Sequence, residues 1–476
     1  MNKLFINGAW VNAISKSETP LINPATEEVI ASIAHGNDVD CNVAIEAAAE
    51  AFKTWGKTTP YVRAAILKKA ADIIRTNVDA YAHDMVLESG KPLSEAKGEW
   101  AVAANLFEWY AEECKRSYGK TIPASRTDKR MSVIWQPMGV IGVITAWNFP
   151  AYNPARAWAA ALAAGCTVVA KPSEATPLSA MHMVNALVQA GLPNGVINLL
   201  VGDASLIGNA MLENPALKKI SFTGSTRVGK ILMDGASKTH TKLGLELGGN
   251  APVIIFDDVD VLTLAKAAVS GRFRNNGQVC IAPQRFYVHK NIFDAFASAV
   301  TTHVAALKVG NGFDDGVQLG PLITKAQRAS VLNLLEKAKA ENATILTGGK
   351  IPAENNKGYF IEPAVVTNLT QASALAQHEI FGPVLPLFSF ETFDEVIAMA
   401  NDTEYGLAAY LFTNNIRTAM LASEQLHFGM VGINEWTPHG TEAPFGGWNQ
   451  SGQGHESGSE GLYEYMEKKL ISVGGI

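Results

Sequence analysis

The chain has 476 residues, of which 47% are hydrophobic and 18% charged, and a formal net charge of −6. That length holds two or three domains with ample buried core, and the mild acidity excludes a polybasic surface for nucleic acid or anionic membrane. Cys41, Cys114, Cys166 and Cys280 are its only cysteines and contain no Cys-x-x-Cys pair, so neither a disulfide framework nor a zinc ribbon is expected.

The chain opens into Lys3-Leu4-Phe5-Ile6-Asn7-Gly8, without the charged and apolar regions of a secretory signal. Its longest apolar runs are interrupted by Asn148, Pro150, Pro154 and Arg156 or are too short to span a bilayer. A cytoplasmic, reducing location is expected. From 139 to 256, short β-rich runs alternate with Ala- and Leu-rich helical patterns, which signals βαβ units and a parallel sheet. Strands are predicted at 140–146, 167–171, 196–201, 219–223 and 253–256, with helices at 154–164, 177–190 and 226–236. This pattern puts Asn148, Lys171, Gly224 and Ser225 at the carboxyl ends of strands, where doubly wound sheets bind ligands.

The region carries no Gly-x-Gly-x-x-Gly fingerprint. Gly224 and Ser225, at a predicted helix start, instead offer N–H groups and the positive end of a helix dipole to a phosphate. Gly224, Gly229 and Lys230 have P-loop spacing, but Ile231 stands where Ser or Thr would hold magnesium, which excludes an NTPase. Beyond Asp257 the pattern restarts with a helix at 261–270, a strand at 285–288 and a helix at 292–306, predicting a second α/β domain. The ten histidines form no His-Glu-x-x-His or other ligand spacing, so no metal is implied.

Phe273-Arg274-Asn275-Asn276-Gly277-Gln278-Val279-Cys280 places a thiol in a loop rich in Gly and amides. Neighbouring N–H groups there can stabilise a thiolate and then an oxyanion, although a buried, inert cysteine is the competing reading. Upstream, Glu246-Leu247-Gly248-Gly249-Asn250 presents a carboxylate at a strand end near the core. Asn148, taken alone, reads as a turn former before Pro150.

Trp147-Asn148-Phe149-Pro150, Lys171-Pro172-Ser173-Glu174, Phe222-Thr223-Gly224-Ser225, the Glu246 and Cys280 segments, Glu379-Ile380-Phe381-Gly382-Pro383 and Pro444-Phe445-Gly446-Gly447 follow one another along the chain. In that order they resemble the NAD(P)-dependent aldehyde dehydrogenase superfamily, over essentially the whole length. The resemblance implies a Rossmann-like parallel-sheet cofactor domain at 1–116 and 137–247, and an α/β catalytic domain at 248–450. A small β oligomerisation arm at 117–136 and 451–476 would join subunits into a homodimer or homotetramer. It implies Cys280 as nucleophile, Glu246 as the base for thioester hydrolysis, and the Asn148 side chain with the Cys280 N–H as oxyanion donors. Trp147, Lys171, Glu174, Gly224, Ser225, Glu379 and Phe381 become cofactor contacts. A carboxylate at Glu174, beside the ribose 2′ position, accepts from a free hydroxyl and repels a phosphate, which favours NAD over NADP.

Arg156 and Arg274 match two positions at which succinate-semialdehyde dehydrogenases hold the distal carboxylate of their substrate, and a guanidinium suits that task. Oxidation of succinate semialdehyde to succinate is therefore the expected reaction. Trp436 and His439 depart from that group's pattern, so a pocket reshaped for 2-oxoglutarate semialdehyde or another aldehyde stays open, as does a non-catalytic structural or binding role. Position 282 is Ala, so the second loop cysteine of redox-regulated relatives is missing.

Overall fold

The structure is a computed structural model that describes residues 2–353 and 357–476. Two sheets organise it. The first has eight strands in the order Gly452–Gln453, Lys242–Glu246, Leu217–Thr223, Val140–Ile144, Thr167–Lys171, Ile197–Leu199, Leu4–Ile6 and Ala9–Val11. Its central strands, from Lys242–Glu246 to Ile197–Leu199, are parallel. They are largely buried, as strands covered by helices on both faces must be.

Local signals explain several of the crossover helices. Pro177–Ala190 has Pro at its first turn and ends at Gly191 with φ +99°, so both boundaries fall where the sequence predicts them. Tyr152–Ala164 begins earlier than the predicted 154, because a distant carboxylate caps it. Glu99 Oε1 accepts the N–H groups of Ala151 (2.7 Å) and Tyr152 (3.1 Å). Glu88 plays the same part for Pro177–Ala190, accepting from the N–H groups of Leu178 (2.7 Å) and Ser179 (3.0 Å). These capping residues belong to the helices Val78–Ser89 and Leu93–Glu113, which join Asp38–Trp55 and Pro60–Thr76 in a helical segment absent from the sequence-based prediction.

The second sheet has seven strands in the order Thr344–Thr347, Ala364–Thr367, Val384–Phe390, Pro283–His289, Ala251–Ile255, Ala408–Phe412 and Met430–Ile433. All pairings are parallel except the first. Helix Val261–Phe273 runs past the predicted end at 270. Its last turn is anchored by buried Arg272, which donates to the carbonyls of Val384 (2.6 Å) and Gly382 (2.7 Å). A third, antiparallel sheet joins Lys120–Ile122, Lys129–Pro137 and Met466–Gly474. The carboxyl-terminal segment thus contributes to two sheets, since Gly452–Gln453 pairs with Leu245 and Glu246 of the first. Among the described residues no helix is long and apolar enough to cross a membrane.

Candidate active site

The carboxyl end of Lys242–Glu246 brings Glu246 to the boundary between the two large sheets. The Gly-Gly step after it is a packing requirement. A Cβ on Gly249 would lie 2.3 Å from the Cys280 carbonyl oxygen, and one on Gly248 would lie 2.7 Å from Glu379 Oε2. The base segment, the thiol loop and the Glu379 segment can meet only because both positions lack side chains.

The thiol loop is held in an unusual conformation. Asn275 (φ +46°), Asn276 (φ +60°) and Gly277 (φ +70°) are left-handed in succession, which Asn and Gly tolerate best. Specific bonds hold it there. The Asn275 N–H reaches Glu95 Oε2 (2.9 Å), and the Asn276 side chain donates to the Gly320 carbonyl (2.6 Å). Asn275 Nδ2 donates to the carbonyl of Asn148 (2.8 Å), which also accepts from Lys91 Nζ (3.0 Å). Asn148 Oδ1 accepts from Asn153, so its Nδ2 faces the loop and donates to the Gln278 carbonyl at 3.1 Å. One Nδ2 hydrogen remains for an oxyanion. Asn148 thus lies in the bend before Pro150 with its amide buried and oriented.

Cys280 is free and half-buried at the junction of two cavities. The first, of ≈ 500 Å³, is lined by Trp147, Lys171, Glu174, Gly224, Ser225, Glu246, Glu379 and Phe381. All the residues expected to contact cofactor line this one cavity. Trp147 and Phe381 meet edge to face at 5.4 Å, and Phe381 takes a positive φ of +49°. Glu379 accepts the Gly249 N–H (2.9 Å), and burial pushes its pKa up to about 7. Lys171 pairs with Glu174. The Gly224 N–H is taken by the Glu246 carbonyl (2.9 Å) and the Ser225 hydroxyl caps Val228. The donors left for a phosphate are therefore the N–H groups of Ser225, Thr226 and Arg227, which helix geometry leaves without an intrahelical acceptor. A carboxylate, a lysine, a helix amino terminus and an aromatic pair all line this cavity, which are the kinds of group a dinucleotide requires.

The second cavity, of ≈ 300 Å³, is bounded by Phe149, Tyr152, Phe445 and His439, and contains Arg156, Arg274 and Cys280. The two arginines differ. Arg156 is 1% exposed, with its Nε 2.9 Å from Glu456 Oε2, at an angle that makes an ion pair rather than a hydrogen bond. Burial works against its charge, but Glu456, then Tyr152 and Glu246, outweigh it and raise its pKa. Arg274 lies over the Phe149 ring at 5.6 Å, and among the described residues it has no carboxylate partner within 4.0 Å. Glu456 is not foreseeable from the order of residues, because nothing local couples a Gly-rich tail to a helix so far upstream. Of the two residues expected to reshape the pocket, His439 lines it, whereas Trp436 packs into the second core against Phe412 at 4.3 Å and Tyr410 at 5.8 Å.

Burial dominates the electrostatics. It pushes the Cys280 thiol up to about 12, against the favourable charge of Arg156. Both Glu246 carboxylate oxygens are buried without a hydrogen-bond partner among the described residues. Burial first, then the charge of Glu456, raises the Glu246 pKa well above the carboxylate range, opposed by Arg156. A carboxyl so placed is a stronger base once ionised than one in water.

A half-buried thiol, a buried carboxyl and an oriented amide meet where two cavities join, beside a parallel α/β sheet of the kind that binds dinucleotides, and this arrangement is that of a dehydrogenase fold. Residues 10–471 match the aldehyde dehydrogenase family, and the chain belongs to it as an NAD(P)-dependent enzyme. It is 43% identical to a glutarate-semialdehyde dehydrogenase of Pseudomonas putida, over 98% of this chain and 97% of that one. It is 41% identical to an NADP+ succinate-semialdehyde dehydrogenase of Escherichia coli, over 98% and 97% respectively. The solved structure of betaine aldehyde dehydrogenase from Staphylococcus aureus in complex with NAD+ superposes with a TM-score of 0.98 at 37% identity, covering 100% of this chain and 95% of that one.

Proposed function

We propose that this protein oxidises an aldehyde bearing a distal carboxylate, succinate semialdehyde, to the corresponding acid with NAD+. The observation that carries the proposal is the position of Cys280 between the cavity lined by the expected cofactor contacts and a pocket containing Arg274, which among the described residues has no carboxylate within 4.0 Å. In this reading Cys280 loses its proton to solvent, and the thiolate Sγ attacks the aldehyde carbon. Asn148 Nδ2 and the Cys280 N–H hold the oxyanion. Bound NAD+ supplies the hydride acceptor. Trp147, Glu379 and Phe381 would hold its nicotinamide half and Lys171 and Glu174 its adenine ribose, with Gly224 and Ser225 shaping the turn beneath the phosphates. Glu246 then takes a proton from the water that attacks the thioester carbonyl, and the carbon–sulfur bond breaks to release the acid. Arg274 pairs with the distal carboxylate, and Arg156, already matched by Glu456, adds a second, charge-compensated contact.

Glutarate semialdehyde, one carbon longer, is the second reading, because the Pseudomonas putida relative is named for it. The same scheme assigns 1–116 and 137–247 to the cofactor domain, 248–450 to the catalytic domain, and 117–136 and 451–476 to an arm that joins a homodimer or homotetramer. Exposed Leu470, Ile471 and Val473 on the arm support a partner subunit there. Cytoplasmic placement is supported by four cysteines that are all free. The experiment is a substrate panel with purified protein, following NADH. The two semialdehydes, 2-oxoglutarate semialdehyde, betaine aldehyde and acetaldehyde are compared by kcat/KM. The highest value should belong to an acid semialdehyde, and a preference for betaine aldehyde or acetaldehyde would reject the proposal.

A further inference from the structure

The amino end of helix Leu93–Glu113 carries a buried ion pair that the scheme above leaves unused. Lys91 Nζ lies 2.5 Å from Glu99 Oε2, and the two side chains are 1% and 3% exposed. Both partners also reach the bend that follows strand Val140–Ile144. Lys91 donates to the Asn148 carbonyl (3.0 Å), and its Nζ lies 4.6 Å from the centre of the Phe149 ring. The other carboxylate oxygen of Glu99, Oε1, accepts the N–H groups of Ala151 and Tyr152. One ion pair thus holds the segment 148–152 at both ends, and that segment carries the Asn148 amide.

The base of Lys91 is itself fixed. Gly90 is left-handed at φ +74°, a Cβ on Gly312 would lie 2.3 Å from the Lys91 carbonyl oxygen, and one on Gly320 would lie 2.0 Å from that of Gly90. The turn therefore packs backbone against backbone. The carbonyl of Gly320 also accepts from the Asn276 side chain, so this turn and the thiol loop share a support. An ammonium and carboxylate buried this deeply add little net stability, because desolvation offsets most of their attraction. What charge-assisted hydrogen bonds supply is direction, and here their directions converge on the peptide groups around Asn148.

We infer that Lys91 and Glu99 are positioning residues for the oxyanion site: they fix the backbone of 148–152 and through it the Asn148 Nδ2 that donates to the developing oxyanion. The inference rests on the oxyanion role given to Asn148 above. Without the ammonium, Asn275 Nδ2 is the one donor left to the Asn148 carbonyl among the described residues, and the amide gains freedom to move.

The test reads the rate constant of first NADH formation by rapid mixing in wild type, K91M, K91M/E99Q, N148A and the triple variant K91M/E99Q/N148A, with thermal melting to check folding. K91M strands the Glu99 carboxylate without its cation, so the decisive variant is K91M/E99Q, whose new amide oxygen still accepts from Ala151 and Tyr152 while no buried charge is left unpaired. It should slow first NADH formation by about 10- to 100-fold, the upper value being that of a displacement of about 1 Å in a reacting group. The loss should be equal on succinate semialdehyde and on butanal, since both form an oxyanion. The calorimetric Kd for NAD+ should stay within about twofold, and in the N148A background the same two substitutions should cost less than about twofold, because the amide they position is gone. A wild-type first turnover in K91M/E99Q, or a loss that multiplies in full on that of N148A, would overturn the inference. Loss of the folded state in K91M/E99Q would do the same, since the pair would then be a prop of the fold. A loss confined to succinate semialdehyde would also overturn it, because Lys91 would then be a substrate contact. If N148A is slow and K91M/E99Q is not, this inference fails alone. If N148A forms NADH as fast as wild type, the oxyanion reading fails with it.

Discussion

Arg156 and Glu456 form a buried ion pair between the helix Tyr152–Ala164 and the Gly-rich tail, with Nε 2.9 Å from Oε2. It neutralises one of the two pocket arginines and places a second carboxylate near Glu246. Replacing Arg156 by Ala should therefore damage the fold as well as the site, because Glu456 is left buried and unpaired, at a cost of about 3–5 kcal/mol. R274A should leave stability near wild type and lower kcat/KM for succinate semialdehyde about 10- to 150-fold, with much less effect on a neutral aldehyde. Denaturant midpoints and kcat/KM on the two aldehydes separate the roles. Equal stability losses in both variants would show that Arg274 is structural too.

The Cys280 thiol should resist alkylation at neutral pH. Burial raises its pKa to about 12, so over the neutral range it is protonated and its thiolate fraction climbs about tenfold per pH unit. Iodoacetamide inactivation of the protein without nucleotide should thus accelerate through about pH 9 with no plateau. A plateau near neutrality would falsify this picture of the resting thiol. C280A should bind NAD+ by calorimetry yet oxidise no aldehyde.

Glu246→Gln should deliver hydride once and then stall, since attack on the aldehyde keeps its thiol while thioester hydrolysis loses its base. Rapid mixing should show a burst of about one NADH per active site followed by a slow steady state. The raised Glu246 pKa means that the active carboxylate gains population as pH rises, so the wild-type hydrolysis step should quicken toward alkaline pH. A steady-state rate like wild type in the Gln variant would remove Glu246 from the role.

NAD+ should be preferred over NADP+, and Glu174→Ser should narrow the gap. Two charges about 6 Å apart at an effective dielectric of about 20–40 repel by roughly 1.4–2.8 kcal/mol, about 10- to 100-fold. The Lys171 partner of Glu174 offsets part of this repulsion, so the lower end is expected, and the variant also frees Lys171 to face a 2′-phosphate. Comparing kcat/KM for both nucleotides decides it, and a wild-type preference for NADP+ would show that Glu174 does not exclude the phosphate.

Gly249→Ala should lower kcat more than it raises KM for nucleotide. The added Cβ would lie 2.3 Å from the Cys280 carbonyl oxygen, so the thiol loop must shift. A displacement of about 1 Å in a reacting group costs on the order of 100-fold in rate. Near-normal turnover in this variant would mean that the loop can give way without moving the thiol.

Local preference made part of this protein legible in its sequence. The strand Thr167–Lys171 and the helix Pro177–Ala190 have their predicted limits, since an apolar run, a Pro at a helix start and a left-handed Gly at its end act within a few residues. Cys280, Glu246 and Asn148 could be singled out because each sits in a short segment of Gly and amide residues whose chemistry is visible in order along the chain. Other features depend on groups brought together only by folding. The early start of Tyr152–Ala164 depends on Glu99, from another helix, and the compensation of Arg156 depends on Glu456. The raised pKa values of Cys280 and Glu246 arise in the same way. Turn and helix signals depend on torsions of adjacent residues, whereas desolvation and charge pairing depend on distance through space, which the order of residues does not contain.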